Sequence, residues 1–191
     1  DHLSEQQLVF LRYQMKMKKK IMALSTLCLA GGVFSTTAGA ADGTIHFTGT
    51  ITDQTCTVDS SSANLTVPLG NIARTALNGA AGMKSAPTQF TLTLTNCPEA
   101  VKGASVKFDG LSDSTNPDLL ALDSGDGVAS GVGIEIADKS GTPVPLHTAS
   151  PQYALSSGSN NLVFVARYVS TGTAVTTGRA NGTSQFTIDY K

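Results

Sequence analysis

Residues 43–52 read Gly-Thr-Ile-His-Phe-Thr-Gly-Thr-Ile-Thr, a stretch in which apolar and polar residues alternate. Successive side chains of a β-strand point to opposite faces, so this alternation predicts a strand with one buried face. The face to be buried carries Ile45, Phe47, Gly49 and Ile51, and the polar face carries Thr44, His46, Thr48 and Thr50. The segment therefore favours a fold built from strands.

Similar short runs follow along the chain, separated by turn signals such as Asn78-Gly79 and Ser140-Gly141. These runs are Leu65–Leu69, Gln89–Thr95, Ser105–Phe108, Gly133–Ala137, Leu162–Tyr168 and Ser184–Tyr190. About seven short strands at this spacing predict an all-β, immunoglobulin-like sandwich. The chain has no tryptophan, so we expect a topology different from that of antibody domains.

The first forty residues have the pattern of an export signal. Residues 1–14 precede Met15 and Met17, the first plausible initiators, and are interpreted as an upstream extension. A lysine-rich start, the apolar run Ile21–Phe34 and the small residues Ala38 and Ala40 then predict a signal peptide over residues 15–40. The alternative is a membrane anchor, but the apolar run is shorter than the roughly 20 residues that a membrane span needs.

Residues 41–191 are predicted to form the exported protein, with one folded domain. Eight basic and twelve acidic side chains make this part mildly acidic. A mildly acidic surface argues against nucleic acid or an anionic membrane as the partner.

Three cysteines occur in the chain, and Cys28 lies within the predicted signal peptide. In an oxidising compartment the remaining pair, Cys56 and Cys97, is expected to form a disulfide. A reactive thiol or a metal site is the alternative. It is disfavoured because the two cysteines are not in a Cys-x-x-Cys spacing and only His46 and His147 accompany them.

An enzyme would need a catalytic constellation. The sequence contains no Gly-x-Ser-x-Gly elbow, no His-Glu-x-x-His motif and no phosphate-binding loop. Acidic residues such as Asp113, Asp118 and Asp123 lie among Ser, Asn and Gly in loop-like sequence, without the ligand spacing of a calcium loop. We therefore predict no catalytic residue, no metal, no cofactor and no small-molecule substrate.

The last predicted strand contains Phe186–Tyr190 and is followed only by Lys191. A sandwich that ends on an apolar-faced strand can leave an open edge, and the strand over residues 43–52 could cover that edge on another molecule. Such an arrangement is head-to-tail and grows filaments. Alternatively, both terminal strands pair within one complete domain, and periodicity leaves the two interpretations open.

Several motifs in order make residues 41–191 resemble subunits of type 1 fimbriae and related chaperone-usher pili. The carrying sequences are Ala41–Ile45 leading through Gly49 to Cys56, Leu-Thr-Asn-Cys97-Pro, Leu119–Asp123, Gly131–Ile136 and Phe186–Tyr190, with Tyr190 penultimate and Gly178 fourteenth from the C-terminus. The resemblance implies an incomplete immunoglobulin-like β-sandwich that lacks its final strand and is completed by a donor strand from another chain.

The resemblance also implies roles for individual residues and partners. Residues 41–54 would be the donor-strand segment and residues 55–191 the pilin domain. The donor residues would be Gly43, Ile45, Phe47, Gly49 and Ile51, and the groove edge facing a chaperone or donor strand would comprise Gly178, Phe186, Ile188, Tyr190 and Lys191. Partners would be other fimbrial subunits, a periplasmic chaperone and an outer-membrane usher, on a route through the periplasm to a cell-surface fimbria that supports adhesion.

Two questions of function stay open on the sequence. The short stretch before Cys56 resembles the extensions of minor adaptor subunits, so major and minor subunit roles are both retained. The alternative class is a self-sufficient secreted β-sandwich that binds host protein or carbohydrate.

Overall fold

The computed structural model describes residues 42–49, 51 and 55–191. The chain divides into two units, Asp1–Gly49 and Thr50–Lys191. The predicted upstream extension 1–14, the predicted signal peptide 15–40 and part of the predicted donor segment, residues 41, 50 and 52–54, lie outside the described residues. No helix in the described ranges is long and apolar enough to cross a membrane.

Two antiparallel sheets form the second unit. The first sheet has the order β1-β2-β6-β4, with β1 Thr57–Val58, β2 Thr88–Cys97, β4 Val132–Asp138 and β6 Gly158–Ser170. The second has the order β5-β3-β7, with β3 Gly103–Asp109, β5 Tyr153–Ala154 and β7 Gln185–Tyr190. A short helix, α1 (Ser60–Ala63), and a 3-10 turn, Arg74–Ala76, lie between β1 and β2. The all-β, immunoglobulin-like prediction is confirmed.

The two sheets pack through a cluster of aromatic rings around Phe164 of β6. Its ring centroid lies 5.1 Å from that of Phe108 in β3 and 5.1 Å from that of Tyr153 in β5. Phe108 also meets Phe90 of β2, with the ring centroids 6.1 Å apart. The contacts of Phe164 and Phe90 thus place β3 and β5 opposite β2 and β6. Because β7 pairs with the side of β3 that faces away from β5, it lies toward the end of the sandwich that carries β1.

The predicted disulfide is present. Cys56 and Cys97 are bonded and both are buried, which joins the chain just before β1 to the end of β2. The covalent link therefore fixes the first strand of the domain to its neighbour in the first sheet, where only two residue pairs, Thr57 with Thr95 and Val58 with Leu94, connect them.

Five of the predicted runs are strands, from β2 through β3, β4 and β6 to β7. The prediction for Leu65–Leu69 is wrong, because those residues form no strand. The strand with a buried face expected over residues 43–52 is also not met: residues 43–49 and 51 are in no strand and are exposed. An alternating pattern supplies a face, but a strand also needs a neighbouring backbone to bond and a surface to cover.

Candidate strand-binding groove

β7 is an edge strand whose outward backbone groups can be identified from one residue pair. Lys191 N donates to Gly103 O at 2.8 Å and Gly103 N donates to Lys191 O at 3.0 Å. Bonded pairs alternate along an antiparallel ladder, so Thr187 and Asp189 also bond to β3. The N–H and C=O groups of Phe186, Ile188 and Tyr190 therefore point away from β3, and in the described part of the chain no strand pairs with them.

The same three residues turn their side chains toward the core. Phe186, Ile188 and Tyr190 are half-buried and pack against it, whereas Gln185, Thr187 and Asp189 are exposed. Burial raises the pKa of the Tyr190 phenol above its usual value. Val58 of β1 and, farther along the chain, Leu69 and Ile72 are likewise half-buried. We define the candidate groove by the outer edge of β7, where the half-buried Phe186, Ile188 and Tyr190 are followed by no further strand in the described part of the chain.

A cleft of about 460 Å³ opens in the chain that leads into β7. Its lining includes Gly70–Ile72, Arg74, Leu77, Ala129, Val132, Tyr168 and Val175–Asn181. The Tyr168 hydroxyl donates to Ala180 O at 2.6 Å and holds one wall. Its lining residues 175–181 thus precede the unpaired edge in sequence.

Gly178 lies in the wall of this cleft, where two segments are bound together. Arg179 N donates to Gly127 O, and Ala129 N donates to Arg179 O, each at 2.9 Å. A Cβ at Gly178 would lie 2.5 Å from Gly127 O and 2.6 Å from Ala129 N, and its φ is +156°. Glycine is required here because the neighbouring backbone leaves no room for a side chain.

The alternating segment, described over residues 43–49 and 51, presents large apolar side chains to solvent. Ile45, Phe47 and Ile51 are 77%, 91% and 102% exposed, and a Cβ at Gly43 or Gly49 would meet nothing within 4 Å. Burying one such side chain stabilises by about 1.5–3 kcal/mol relative to leaving it in water. A row of three therefore favours association with an apolar surface.

The residues predicted for the groove edge are only partly brought together. Phe186, Ile188 and Tyr190 line one edge, and Lys191 continues it, with its main-chain O also accepting from Lys102 N at 2.7 Å. Gly178 lies apart, in the cleft. The roles assigned to these residues and to Gly43, Ile45, Phe47, Gly49 and Ile51 stay predictions. The contributions of Ile72, Arg74 and Arg179 to the cleft were missed, because they come from loops and a short 3-10 turn without periodicity.

The buried carboxylate of Glu135, away from the groove, has two cationic partners. Glu135 of β4 is nearly buried and accepts from Arg167 Nε at 2.7 Å and Lys84 Nζ at 2.8 Å. Over residues 42–49, 51 and 55–191, no group of three His, Cys, Asp or Glu side chains could hold a metal ion. In the same ranges every buried side-chain nitrogen and oxygen has a hydrogen-bond partner. The groove is therefore distinguished by unpaired backbone and apolar surface.

Known sequences match most of the chain, including the whole of residues 55–191. A family model described as fimbrial protein matches residues 45–191. A probable major fimbrial subunit of Escherichia coli O157:H7 is 39% identical over 177 residues, which cover 92% of this chain and 98% of the relative. A type 1 fimbrial subunit of Salmonella typhimurium is 41% identical over 154 residues, covering 78% of this chain and 83% of the relative.

Solved structures give the same fold. The crystal structure of a Burkholderia pseudomallei antigen and type I fimbria protein matches with a TM-score of 0.56 and 36% identity, covering 78% of this chain and 97% of that one. The P pilus rod subunit PapA matches with a TM-score of 0.60 and 23% identity, covering 72% of this chain and 100% of its own.

Proposed function

Because this chain belongs to the fimbrial protein family and is a structural subunit of an exported surface fimbria, we propose that its subunits join head to tail by donor-strand exchange. Residues 41–54 of one subunit enter the groove of the next subunit, within residues 55–191. The observation that carries the proposal is the outer edge of β7, where Phe186, Ile188 and Tyr190 combine unpaired backbone with half-buried side chains. The role is structural and not catalytic.

The donor segment and the edge match in length and period. Residues 45–51 span about 20 Å when extended, and the six residues of β7 span a similar distance. Both sequences alternate with a period of two. An added strand would therefore bond its backbone to the outward groups of β7 while every second side chain covers the groove.

For a donor that runs antiparallel to β7 we propose one register, in which Gly49 lies opposite Phe186. In an antiparallel pair, residues directly opposite share a face, so the apolar donor residues lie opposite the inward residues of β7. The pairs are then Ile45 with Tyr190, Phe47 with Ile188 and Gly49 with Phe186, and Ile51 extends past the start of β7 toward the cleft. Gly49 leaves room for the Phe186 ring because it has no side chain.

Before exchange, the open edge needs protection. An unpaired strand beside uncovered apolar surface promotes aggregation. A periplasmic chaperone that lends its own strand to this edge, ending near Lys191, would keep the subunit soluble. An outer-membrane usher would then replace that strand with the next subunit's donor segment.

Of the two subunit roles left open by the sequence, we propose the major, rod-forming one. The relative from Escherichia coli O157:H7 is described as a probable major subunit and is aligned over 92% of this chain. PapA, a rod subunit, has the same fold. We therefore assign the short stretch before Cys56 to a rod subunit. In this role the protein supports adhesion indirectly, as a building block of the fibre.

The test compares fibres from cells that export the full chain with either Phe47→Asp or Thr48→Asp. A carboxylate at position 47 would be buried without a partner, whereas at position 48 it would face solvent. We expect Phe47→Asp to abolish polymers seen by electron microscopy and Thr48→Asp to retain them. Normal polymers from Phe47→Asp would contradict donor-strand exchange. A wild-type chain that stays a stable monomer in those cells would instead support the secreted binding module.

A further inference from the structure

The chain contains two Asn-Gly dipeptides, at residues 78–79 and 181–182. In such a pair the backbone nitrogen of the glycine can attack the side-chain carbonyl carbon of the asparagine, because glycine has no side chain to obstruct the approach. The asparagine then loses its amide group, which is one reason why asparagine is a thermolabile residue. The attack requires an asparagine side chain that can rotate and a glycine nitrogen without another partner, so the surroundings of each pair determine whether it reacts.

The first pair is held by hydrogen bonds to the segment 173–175. The Asn78 oxygen Oδ1 accepts from Val175 N at 2.7 Å, and Gly79 N donates to Thr173 O at 2.9 Å. Asn78 is also half-buried. Rotating its side chain and releasing the glycine nitrogen would each break a hydrogen bond, so the folded domain protects this pair.

The second pair is much less restrained. Asn181 and Gly182 are both exposed. Among the described residues, neither the Asn181 side chain nor Gly182 N has a hydrogen-bond partner. One hydrogen bond, from Asp123 N to Asn181 O at 2.7 Å, fixes the main chain there. The two groups that would react are therefore free, whereas both of their counterparts in the first pair are bonded.

We propose that Asn181 is a site of spontaneous deamidation in the folded protein and that Asn78 is not. Gly182 N forms a bond to Asn181 Cγ, the bond from Cγ to Nδ2 breaks, and the side-chain nitrogen leaves as ammonia with the proton of the Gly182 amide. Water then opens the cyclic imide at either of its carbonyl groups, which leaves an aspartate or an isoaspartate. Water is the only co-reactant.

The modification changes the wall of the cleft that precedes β7. Asn181 lines this cleft, so either product places a new carboxylate there. In isoaspartate the main chain runs through the former side-chain carbon and is longer by one methylene group. The carbonyl that accepts from Asp123 N then belongs to a free carboxylate, and this hydrogen bond no longer ties the chain beside Gly182. We expect the wall to be weaker in subunits that have aged.

The experiment compares both asparagines in one sample of the full exported chain. The folded protein is kept in mildly alkaline buffer made with water enriched in heavy oxygen, which labels each new carboxylate. It is then digested with pepsin in acid and analysed by mass spectrometry. We expect Asn181 to be converted about tenfold faster than Asn78, because two hydrogen bonds protect Asn78 and Gly79. In urea, where both pairs are released, the two rates should become similar.

Asn181→Gln is the matched control, because glutamine keeps the amide but has to close a larger ring that forms less readily. After ageing, the wild-type chain should unfold at a lower urea concentration than before, and Asn181→Gln should be unchanged. The inference is overturned if Asn181 reacts no faster than Asn78 in the folded chain. An equal loss of stability on ageing in the wild type and in Asn181→Gln would also overturn it.

Discussion

Lys191 and Gly103 exchange both of their backbone hydrogen bonds, at 2.8 and 3.0 Å, and this pair shows which residues of β7 bond to β3. Odd-numbered residues of β7 bond to β3, and even-numbered residues present their backbone to the outside. The even-numbered residues are also the ones with inward side chains. A strand added to this edge therefore contacts the residues of β7 that are least covered.

The alternation of bonded and outward-facing residues along β7 predicts a pattern of amide hydrogen exchange. The amides of Ile188 and Tyr190 should exchange quickly in the unassembled subunit and slowly in the fibre. The amides of Thr187 and Asp189, bonded to β3, should be protected in both states and serve as internal controls. Each 1.4 kcal/mol of stability in the added ladder slows exchange about tenfold. Equal protection of all four amides before assembly would contradict the open edge.

Gly178→Ala should destabilise the wall of the cleft. The added methyl group would collide with Gly127 O and Ala129 N, which are backbone atoms held by hydrogen bonds. We expect a loss of about 2 kcal/mol or more in the free energy of unfolding, measured with urea. Gly172→Ala is the matched control, because a Cβ at Gly172 meets nothing within 4 Å. Equal effects of the two substitutions would argue against this steric explanation.

Glu135→Ala should be costly although the residue lies away from the groove. Glu135 and Arg167 have side chains only 10% and 18% exposed, so removing the carboxylate leaves a largely buried guanidinium without its partner. We expect the free energy of unfolding to fall by about 3 kcal/mol. Glu99→Ala, at an exposed turn, should change it by less than about 0.5 kcal/mol. A similarly small change for Glu135→Ala would show that the ion pairs of Glu135 with Arg167 and Lys84 contribute little to the free energy of unfolding.

His147 should control the titration of Asp109. A hydrogen bond from the His147 side chain, with Nδ1 and Oδ1 2.8 Å apart, lowers the pKa of the Asp109 carboxyl below its usual value, and Lys107 adds a smaller electrostatic contribution. His147→Gly, chosen because His147 has a φ of +66° that glycine adopts freely, should raise this pKa, as observed by NMR titration. Lys107→Ala should raise it less.

The sign of the accompanying stability change follows from the direction of that shift. A carboxyl whose pKa is lowered on folding contributes stability above its unfolded pKa, near 3.8, and loses that contribution as the pH falls through the folded pKa. The difference in stability between wild type and His147→Gly should therefore be present at neutral pH and narrow in acid. A difference that grows as the pH falls below 3.8 would contradict the assignment to Asp109.

Much of the fold could be predicted because its strands carry local signals. β2 and β7 alternate apolar and polar residues, and β4 and the middle of β6 are mainly apolar runs that include valine or isoleucine, so each was located within a few residues. β1 and β5 have two residues each and no periodicity to detect. The cleft was not predictable, because Ile72, Val132 and Val175 come together only when three separate segments pack.

By itself, the sequence determined the class of fold, the disulfide between Cys56 and Cys97, and an alternating segment over residues 43–52 with apolar side chains to bury. Each depends on residue type and spacing within a short stretch. Only the tertiary structure showed that residues 43–49 and 51 form no strand. It also showed that β7 presents an open edge and that Arg74 and Arg179 line the same cleft. Backbone hydrogen bonds and charge clusters join residues distant in sequence, so the path of the whole chain decides which of them remain open.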